Sequence, residues 1–287
     1  MTSPQVQGFF DPATFTVSYV VSDPDTSAAA IIDPVLDFDQ ASGRTSFAAA
    51  DRLIDYVHEQ GLSVEWILET HVHADHLTAA PYIHEKTGSP VAIGEHVIDV
   101  QKAFTSIFNL PDIAVDGSQF DQLFPAGKTF SIGKLDARVM YTPGHTPACV
   151  TYMIGDAAFV GDTLFMPDYG TARTDFPGGN AGQLYDSIQS ILALPDETRL
   201  FMCHDYKAPG RDEFRWETTV AEQRSSNIHM GNGVSRDDFV AMREGRDAGL
   251  GMPRLILPAI QVNIRAGHLP APQSNGTAYL KLPLNAF

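Results

Sequence analysis

The sequence predicts a layered α/β domain of two sheets flanked by helices, with metal-capable side chains at strand ends and a mixed segment after it. Three observations carry this. Short apolar runs alternate with amphipathic stretches from residue 14 to residue 108. The texture then changes to closely spaced strands from Lys128, and the histidines and aspartates cluster directly after apolar runs.

Residues 14 to 21 alternate as a strand does, and the apolar run 28 to 32 is broken by Asp33-Pro34, which predicts a β-hairpin entry. Residues 46 to 60 place Phe47, Leu53, Ile54 and Val57 on one helical stripe that stops at Gly61. A strand over 64 to 68 then leads into the first histidine cluster. A helix over 78 to 86 with Gly88 as its stop, a strand over 91 to 94 and a helix over 97 to 108 continue the alternation. After Lys128 come strands over 130 to 132, 137 to 141, 149 to 154 and 158 to 160, which predict a second sheet. A helix over 181 to 194, with Leu184, Ile188, Ile191 and Leu192 on one face, leads to a strand over 200 to 203 that ends at His204.

These elements give a domain over 1 to 226. Beyond it, residues 227 to 287 carry a helix over 236 to 246, several prolines, and apolar runs at 255 to 257 and 260 to 264 that are too hydrophobic for a disordered tail. This extension packs either on the core or against a second copy of the chain in a homodimer.

With 35 acidic against 19 basic residues and a net charge of -16, the chain is a poor partner for a phosphate backbone, so nucleic acid is excluded as a ligand class. It has no apolar stretch of membrane-spanning length, and its first residues lack a basic-then-apolar leader pattern; a cytoplasmic protein without a membrane partner is expected. Five basic residues, Arg199, Lys207, Arg211, Arg215 and Arg224, nevertheless gather around His204. They read either as a site for a small anionic substrate or as a solvated face paired with nearby acids. Two cysteines, Cys149 and Cys203, lie in apolar runs and read as buried small hydrophobes.

The chemistry is concentrated in Thr70-His71-Val72-His73-Ala74-Asp75-His76, in Thr142-Pro143-Gly144-His145-Thr146, in Gly161-Asp162-Thr163, and at His204. His71 and His73, two apart in extended chain, point the same way, and Asp75 and His76 follow where the chain is expected to enter a helix. His145 follows a Pro-Gly turn, and Asp162 sits at a strand end where a carboxylate can bridge two ions. The set suits one or two transition metals. His58, His84, His96, His229 and His268 stand alone and read as ordinary core or surface residues.

In their order, THVHADH, TPGHT, GDTLF and the final His204 resemble the metallo-β-lactamase superfamily over residues 14 to 206. The resemblance implies an αβ/βα four-layer sandwich of two mixed β-sheets flanked by helices. It also implies one metal site at His71, His73 and His145, a second at Asp75, His76 and His204, and Asp162 between them. Arg173-Thr174-Asp175-Phe176 and His204-Asp205-Tyr206 are similar to the bacterial branch of the persulfide dioxygenases, relatives of glyoxalase II, although Thr171-Ala172 replaces the Cys-Gly of the mitochondrial type. That branch implies a single Fe(II) per chain on His71, His145 and Asp162, with His73, Asp75, His76 and His204 as second site or outer shell. Its substrates are glutathione persulfide and O2, and its products sulfite and glutathione. Arg173 and Asp175 would orient ligands, or form only a loop-stabilising ion pair; Tyr206 would hydrogen-bond substrate, or only pack. Lys207 and Arg211 would bind the substrate's charge. The alternative with all ligands intact is a glyoxalase II-like thioester hydrolase holding two zinc ions. A non-enzymatic binding module would need a spoiled metal site, and this one is unbroken.

Overall fold

The computed structural model describes residues 3–286; the first two positions of the expected domain and the last of the extension, residues 1–2 and 287, lie outside the described residues. The chain opens with β1 (Gln5–Phe10), β2 (Val17–Ser22), β3 (Ala28–Ile32), β4 (Val35–Asp39), β5 (Arg44–Ser46) and α1 (Ala48–Glu59). There follow β6 (Ser63–Leu68), β7 (Leu77–Thr78), α2 (Ala80–Thr87), β8 (Val91–Gly94), α3 (Val97–Phe108) and β9 (Gln122–Phe124). The second half runs β10 (Thr129–Ile132), β11 (Leu135–Tyr141), β12 (Val150–Ile154), β13 (Ala157–Phe159), α4 (Ala181–Leu192), β14 (Arg199–Phe201), β15 (Glu217–Thr219) and α5 (Val220–Ser226). Then come α6 (Arg236–Asp247) and α7 (Ile256–Asn263).

One sheet has the order β1-β2-β3-β6-β8-β9 and the other β10-β11-β12-β13-β14-β15. Both are mixed. In the first, β3, β6, β8 and β9 are parallel, which their intervening helices permit; in the second only β13 and β14 are, with α4 between them. A small ribbon, β5-β4-β7, stands apart.

Burial shows why the sheets stack. Every residue of β2 and β3 is buried, because their two faces serve different cores. Val20, Ala29 and Ile31 face α1, α2, α3 and α7, whereas Val17, Tyr19, Val21, Ala30 and Ile32 face Tyr152, Phe159 and Phe201 of the second sheet. A third core joins the outer face of that sheet to α4 and α6 through Leu184, Ile188 and Phe239. The result is helices, sheet, sheet, helices: the four-layer sandwich.

Several short elements carry no readable sequence period. β9 and β15 have three residues each, too few for alternation to show. α7 was hidden by Pro258, which falls in its first turn, where a missing N–H breaks no intrahelical bond. One geometric expectation is corrected: Asp75 and His76 do not enter a helix but lie in a bend ahead of β7, and α2 begins only at Ala80. The residues after 227 pack on this core, α6 along α4 and α7 against β7 and α3. Among the described residues no helix is long and apolar enough to cross a membrane.

Candidate metal centre

The donors converge because four strand ends meet at one edge of the sandwich. Beyond β6, Thr70 leaves the sheet with its backbone N–H and its hydroxyl both donating to the buried Asp33 carboxylate, at 2.7 and 2.8 Å. The Thr70 hydroxyl has thereby spent its only proton, so at 3.0 Å it accepts from His71 Nδ1, and His71 Nε2 carries the lone pair. The same logic repeats around the site. His76 Nδ1 donates to Leu77 O (3.0 Å), His145 Nδ1 to Arg173 O (2.8 Å) and His204 Nδ1 to Phe15 O (3.3 Å). His73 is reversed: Nε2 faces Asp33 (3.0 Å) and Glu69 (3.4 Å), which leaves Nδ1 free. Each imidazole is anchored through one nitrogen and aims the other inward, the arrangement of metal-ligating histidines.

Two glycines make this approach possible. Gly144, at φ +140°, lets the turn before His145 lie where a Cβ would be 2.3 Å from the Leu184 backbone. Gly161, at φ +52°, brings Asp162 in beside Thr70, whose hydroxyl a Cβ would meet at 2.7 Å.

The inward atoms test whether a cation fits. Among the described residues, eight buried side-chain nitrogens and oxygens have no hydrogen-bond partner, and seven belong here: one oxygen each of Glu69, Asp75 and Asp162, and one nitrogen each of His71, His73, His76 and His204. Each would cost about 1–3 kcal/mol left bare. Those of His71, His76, His204, Asp75 and Asp162 are acceptors, so they cannot satisfy one another, yet they stand close, whereas Glu69 faces His73 Nε2 at 3.4 Å. Asp162 Oδ2 is 3.8 Å from His71 Nε2 and 3.6 Å from His145 Nε2, while Oδ1 is 3.4 Å from His204 Nε2, which is 3.2 Å from Asp75. A positive ion is the group that relieves these five acceptors, and the nitrogen and carboxylate donors suit a transition metal. His71, His145 and Asp162 offer donor atoms mutually within 4.8 Å, as do His73, Asp75 and His76.

Protonation agrees with that role. Burial, then the neighbouring His73, holds His76 down to about 4, and burial with the surrounding imidazoles holds His71 well below its ordinary range, so both stay neutral donors. His73 is the exception. Burial opposes its charge, but Asp33 and Glu69 overcome that and hold it well above the usual histidine range. Asp33 and Glu69, which no motif revealed, thus form a buried acidic floor beneath the histidines. The thiols are inert: burial raises Cys149 to about 12 and pushes Cys203 well above its usual range.

Above the metal centre lies a cavity of about 420 Å³. Asp75, His145 and Asp162 form its floor, and Phe15, Phe165, Tyr169 and Tyr206 one wall. The Tyr206 ring stacks on His204 at 5.4 Å. Arg173 also lines the cavity, but its guanidinium is held by both Asp175 oxygens, at 2.5 and 2.6 Å, and by Gly251 O at 2.8 Å. Asp175 touches Arg173 rather than the cavity.

Lys207 and Arg211, expected to bind the substrate's charge, do not line this cavity. Arg211 is locked between Asp168 and Asp205, and Lys207 lies 4.3 Å over the Phe214 ring. Arg199, Arg215 and Arg224 are likewise ion-paired, so the basic stretch near His204 serves the fold. Besides Arg173, the cavity's arginines come from farther along the chain: Arg243, Arg246 and Arg254, beside His229. No spacing in the sequence marks them. Arg243 and Asp247, both nearly fully buried, pair at 2.7 Å and clamp the loop that bears Arg173. Asp247 accepts from Thr174 N and Oγ1 at 2.8 and 3.0 Å, and Arg243 donates to Thr171 O. Asn263 of α7 pins the histidine loop, donating to His73 O and His76 O at 2.8 Å each.

A family model described as Metallo-beta-lactamase superfamily matches residues 11–204. A beta-lactamase hydrolase-like protein of Agrobacterium fabrum is 60% identical over 284 residues, 99% of this chain; the chain spans 65% of that protein's length. Glyoxylase B2 of Dictyostelium discoideum is 49% identical over 98% of this chain and 97% of its own. The mitochondrial persulfide dioxygenase ETHE1 of Bos taurus is 29% identical over 90% of this chain and 87% of its own. In three dimensions, the crystal structure of ETHE1 from Myxococcus xanthus superposes with a TM-score of 0.73 at 33% identity, covering 92% of this chain and 100% of that one.

Proposed function

The chain belongs to the metallo-beta-lactamase superfamily, and from that premise we propose that it is an iron-dependent persulfide dioxygenase converting glutathione persulfide, O2 and water to glutathione and sulfite. The observation that carries this reading is the convergence of His71, His145 and Asp162, two imidazoles and one carboxylate within 4.8 Å of one another, with His145 and Asp162 at the cavity floor. His71, His145 and Asp162 would hold a ferrous ion, which would supply the redox chemistry that persulfide oxidation needs. The balance closes: O2 takes four electrons from the terminal sulfur, water supplies sulfite's third oxygen, and the sulfur–sulfur bond breaks to release the thiol.

The chain's own residues have separate tasks in this reading. Thr70 and the Arg173 carbonyl fix the tautomers of His71 and His145. Arg173, neutralised by Asp175, is a positioning residue that shapes the loop and covers Phe176 at 5.1 Å. Tyr206 brings a phenol to the cavity beside His204. Its ring is about a third exposed, yet burial and then Asp75 and Asp162 hold the phenol well above its ordinary range, so it acts as a hydrogen-bond donor. The aromatic wall restricts water near the reacting sulfur.

A second reading has an observation of its own. Asp75, His76 and His204 also keep bare inward atoms, and Asp162 offers its second oxygen to them, which suits a two-zinc thioester hydrolase. The names of the relatives at 49% and 60% identity lean that way, and the structural likeness to ETHE1 leans the other. Oxygen uptake with sulfite release by the Fe(II)-loaded protein on glutathione persulfide supports the dioxygenase. Cleavage of S-lactoylglutathione by the zinc-loaded protein, with no oxygen uptake by the iron form, replaces it with the hydrolase.

A further inference from the structure

The histidine loop has two sides. His71, His73 and Asp75 turn toward the metal centre, whereas Val72 and Ala74, the residues between them, are buried against a second and much smaller cavity behind the loop. Val100 and Phe104 of α3 and Ile260 of α7 close it from the far side. It leaves about 10 Å³ in which the centre of a water-sized molecule can lie, so it holds a single diatomic molecule.

Two residues, Ala74 and Phe176, line both this cavity and the large one above the metal centre. Phe176 closes the Arg173-Thr174-Asp175-Phe176 element. Its ring stands edge-on to the His145 imidazole at 5.1 Å and 88°, with the Arg173 guanidinium 5.1 Å from its centre. The ring is thus a leaf between the small cavity and a metal-donor histidine.

The lining selects the occupant. A buried water needs two to four polar partners. Thr146 brings the only polar side chain here, and it is engaged: its hydroxyl accepts from the Ala148 N–H at 3.2 Å and lies 3.1 Å from Cys149 Sγ. Water gains little in such a place, and a thiol the size of glutathione does not enter it. A small apolar gas fits. A thiol seated in the large cavity also stands between solvent and the metal floor, so a gas that arrives second gains from a separate path.

We propose that this cavity is a gas site, which holds one O2 and passes it to the metal floor between Ala74 and Phe176 while the thiol occupies the large cavity. The identity of the gas rests on the dioxygenase reading; the site itself does not.

Two measurements without turnover test it. Crystals pressurised with xenon should show an anomalous peak between Val72, Phe104 and Ile260. Val100→Ile, which adds a methyl group to the cavity, should lose that peak, and Phe104→Leu, which widens the cavity, should keep it. In the Fe(II)-loaded protein with saturating glutathione, association of nitric oxide, a diatomic stand-in for O2, should slow about threefold or more in Val100→Ile and not in Phe104→Leu. Iron content should stay at the wild-type level in both. Absence of xenon from the wild type, a nitric oxide rate that Val100→Ile leaves unmoved, or equal slowing in both variants, the mark of disturbed packing, overturns the site. Slowed nitric oxide in Val100→Ile alone, with no oxygen uptake on glutathione persulfide, would sink the dioxygenase reading and leave the gas site standing. Oxygen uptake with an unchanged KM for O2 in Val100→Ile would do the reverse.

Discussion

The region that matches the family model, residues 11–204, and the segment after residue 227 divide the site between them in different currencies. The first supplies every inward-facing donor, from His71 to His204. The second supplies none, yet it holds those donors in two places: Asn263 grips the histidine loop, and the Arg243–Asp247 pair grips the loop whose Arg173 carbonyl orients His145. A metal centre can thus be written as a short motif while its precision is kept by helices 72 to 190 positions from the loops they grip, a division that lets the support and the rim change without touching the ligands.

The largest expected effect falls on the donors. His145→Ala or Asp162→Ala should remove bound iron and lower turnover by at least ~10³-fold, a loss of about 4 kcal/mol of transition-state stabilisation; His204→Ala should retain most of its iron. Metal analysis of the three variants reads this directly, and equal loss in all three would favour a shared two-metal site.

Next come the supports. Asp247→Asn or Asn263→Ala should weaken metal affinity about 10–100-fold with all donors present, as expected when an orienting partner is lost. Asn263→Ala should also cost roughly 3 kcal/mol of stability by leaving two buried carbonyls and the Thr78 N–H unpaired. Chelator competition and denaturant unfolding measure the two effects; wild-type metal affinity in both variants would make the second region a passive cover.

A smaller effect concerns pH. His229 is held at about 4 in the folded protein while its Nδ1 accepts from Thr171 N–H. Between about 6.5, the unfolded value, and 4 the unfolded chain binds the proton and the folded one does not, so this residue's contribution to stability is full above 6.5 and falls as pH drops. His229→Gln should flatten the stability profile in that window relative to wild type; parallel profiles would show that His229 is not the cause. The smallest effect is expected at Lys207→Ala, which should leave KM within about twofold because that ammonium lies over Phe214 and not on the cavity.

Legibility follows the same division. The strands and helices that build the two main cores were readable because burial on one or two faces imposes a period, as in α1 with Leu53, Ile54 and Val57. The donors were readable because a metal needs particular side chains close together in sequence at strand ends. Asp33 and Glu69 were not, since a buried carboxylate at a strand end looks like any turn or strand residue until its partners are known. Arg243, Asp247 and Asn263 were invisible for a further reason: their partners lie 72 to 190 positions away. The gathered charges around His204 left two readings open, because proximity in sequence says nothing of which acid each arginine meets, and Arg211 meets Asp168 from 43 positions off.

The central claim is that iron rests on His71, His145 and Asp162. Anomalous diffraction at the iron edge, from crystals of protein loaded anaerobically with Fe(II), tests it most directly. One peak per chain within bonding distance of His71 Nε2, His145 Nε2 and Asp162 is the predicted result; two peaks, or one seated among Asp75, His76 and His204, would contradict it.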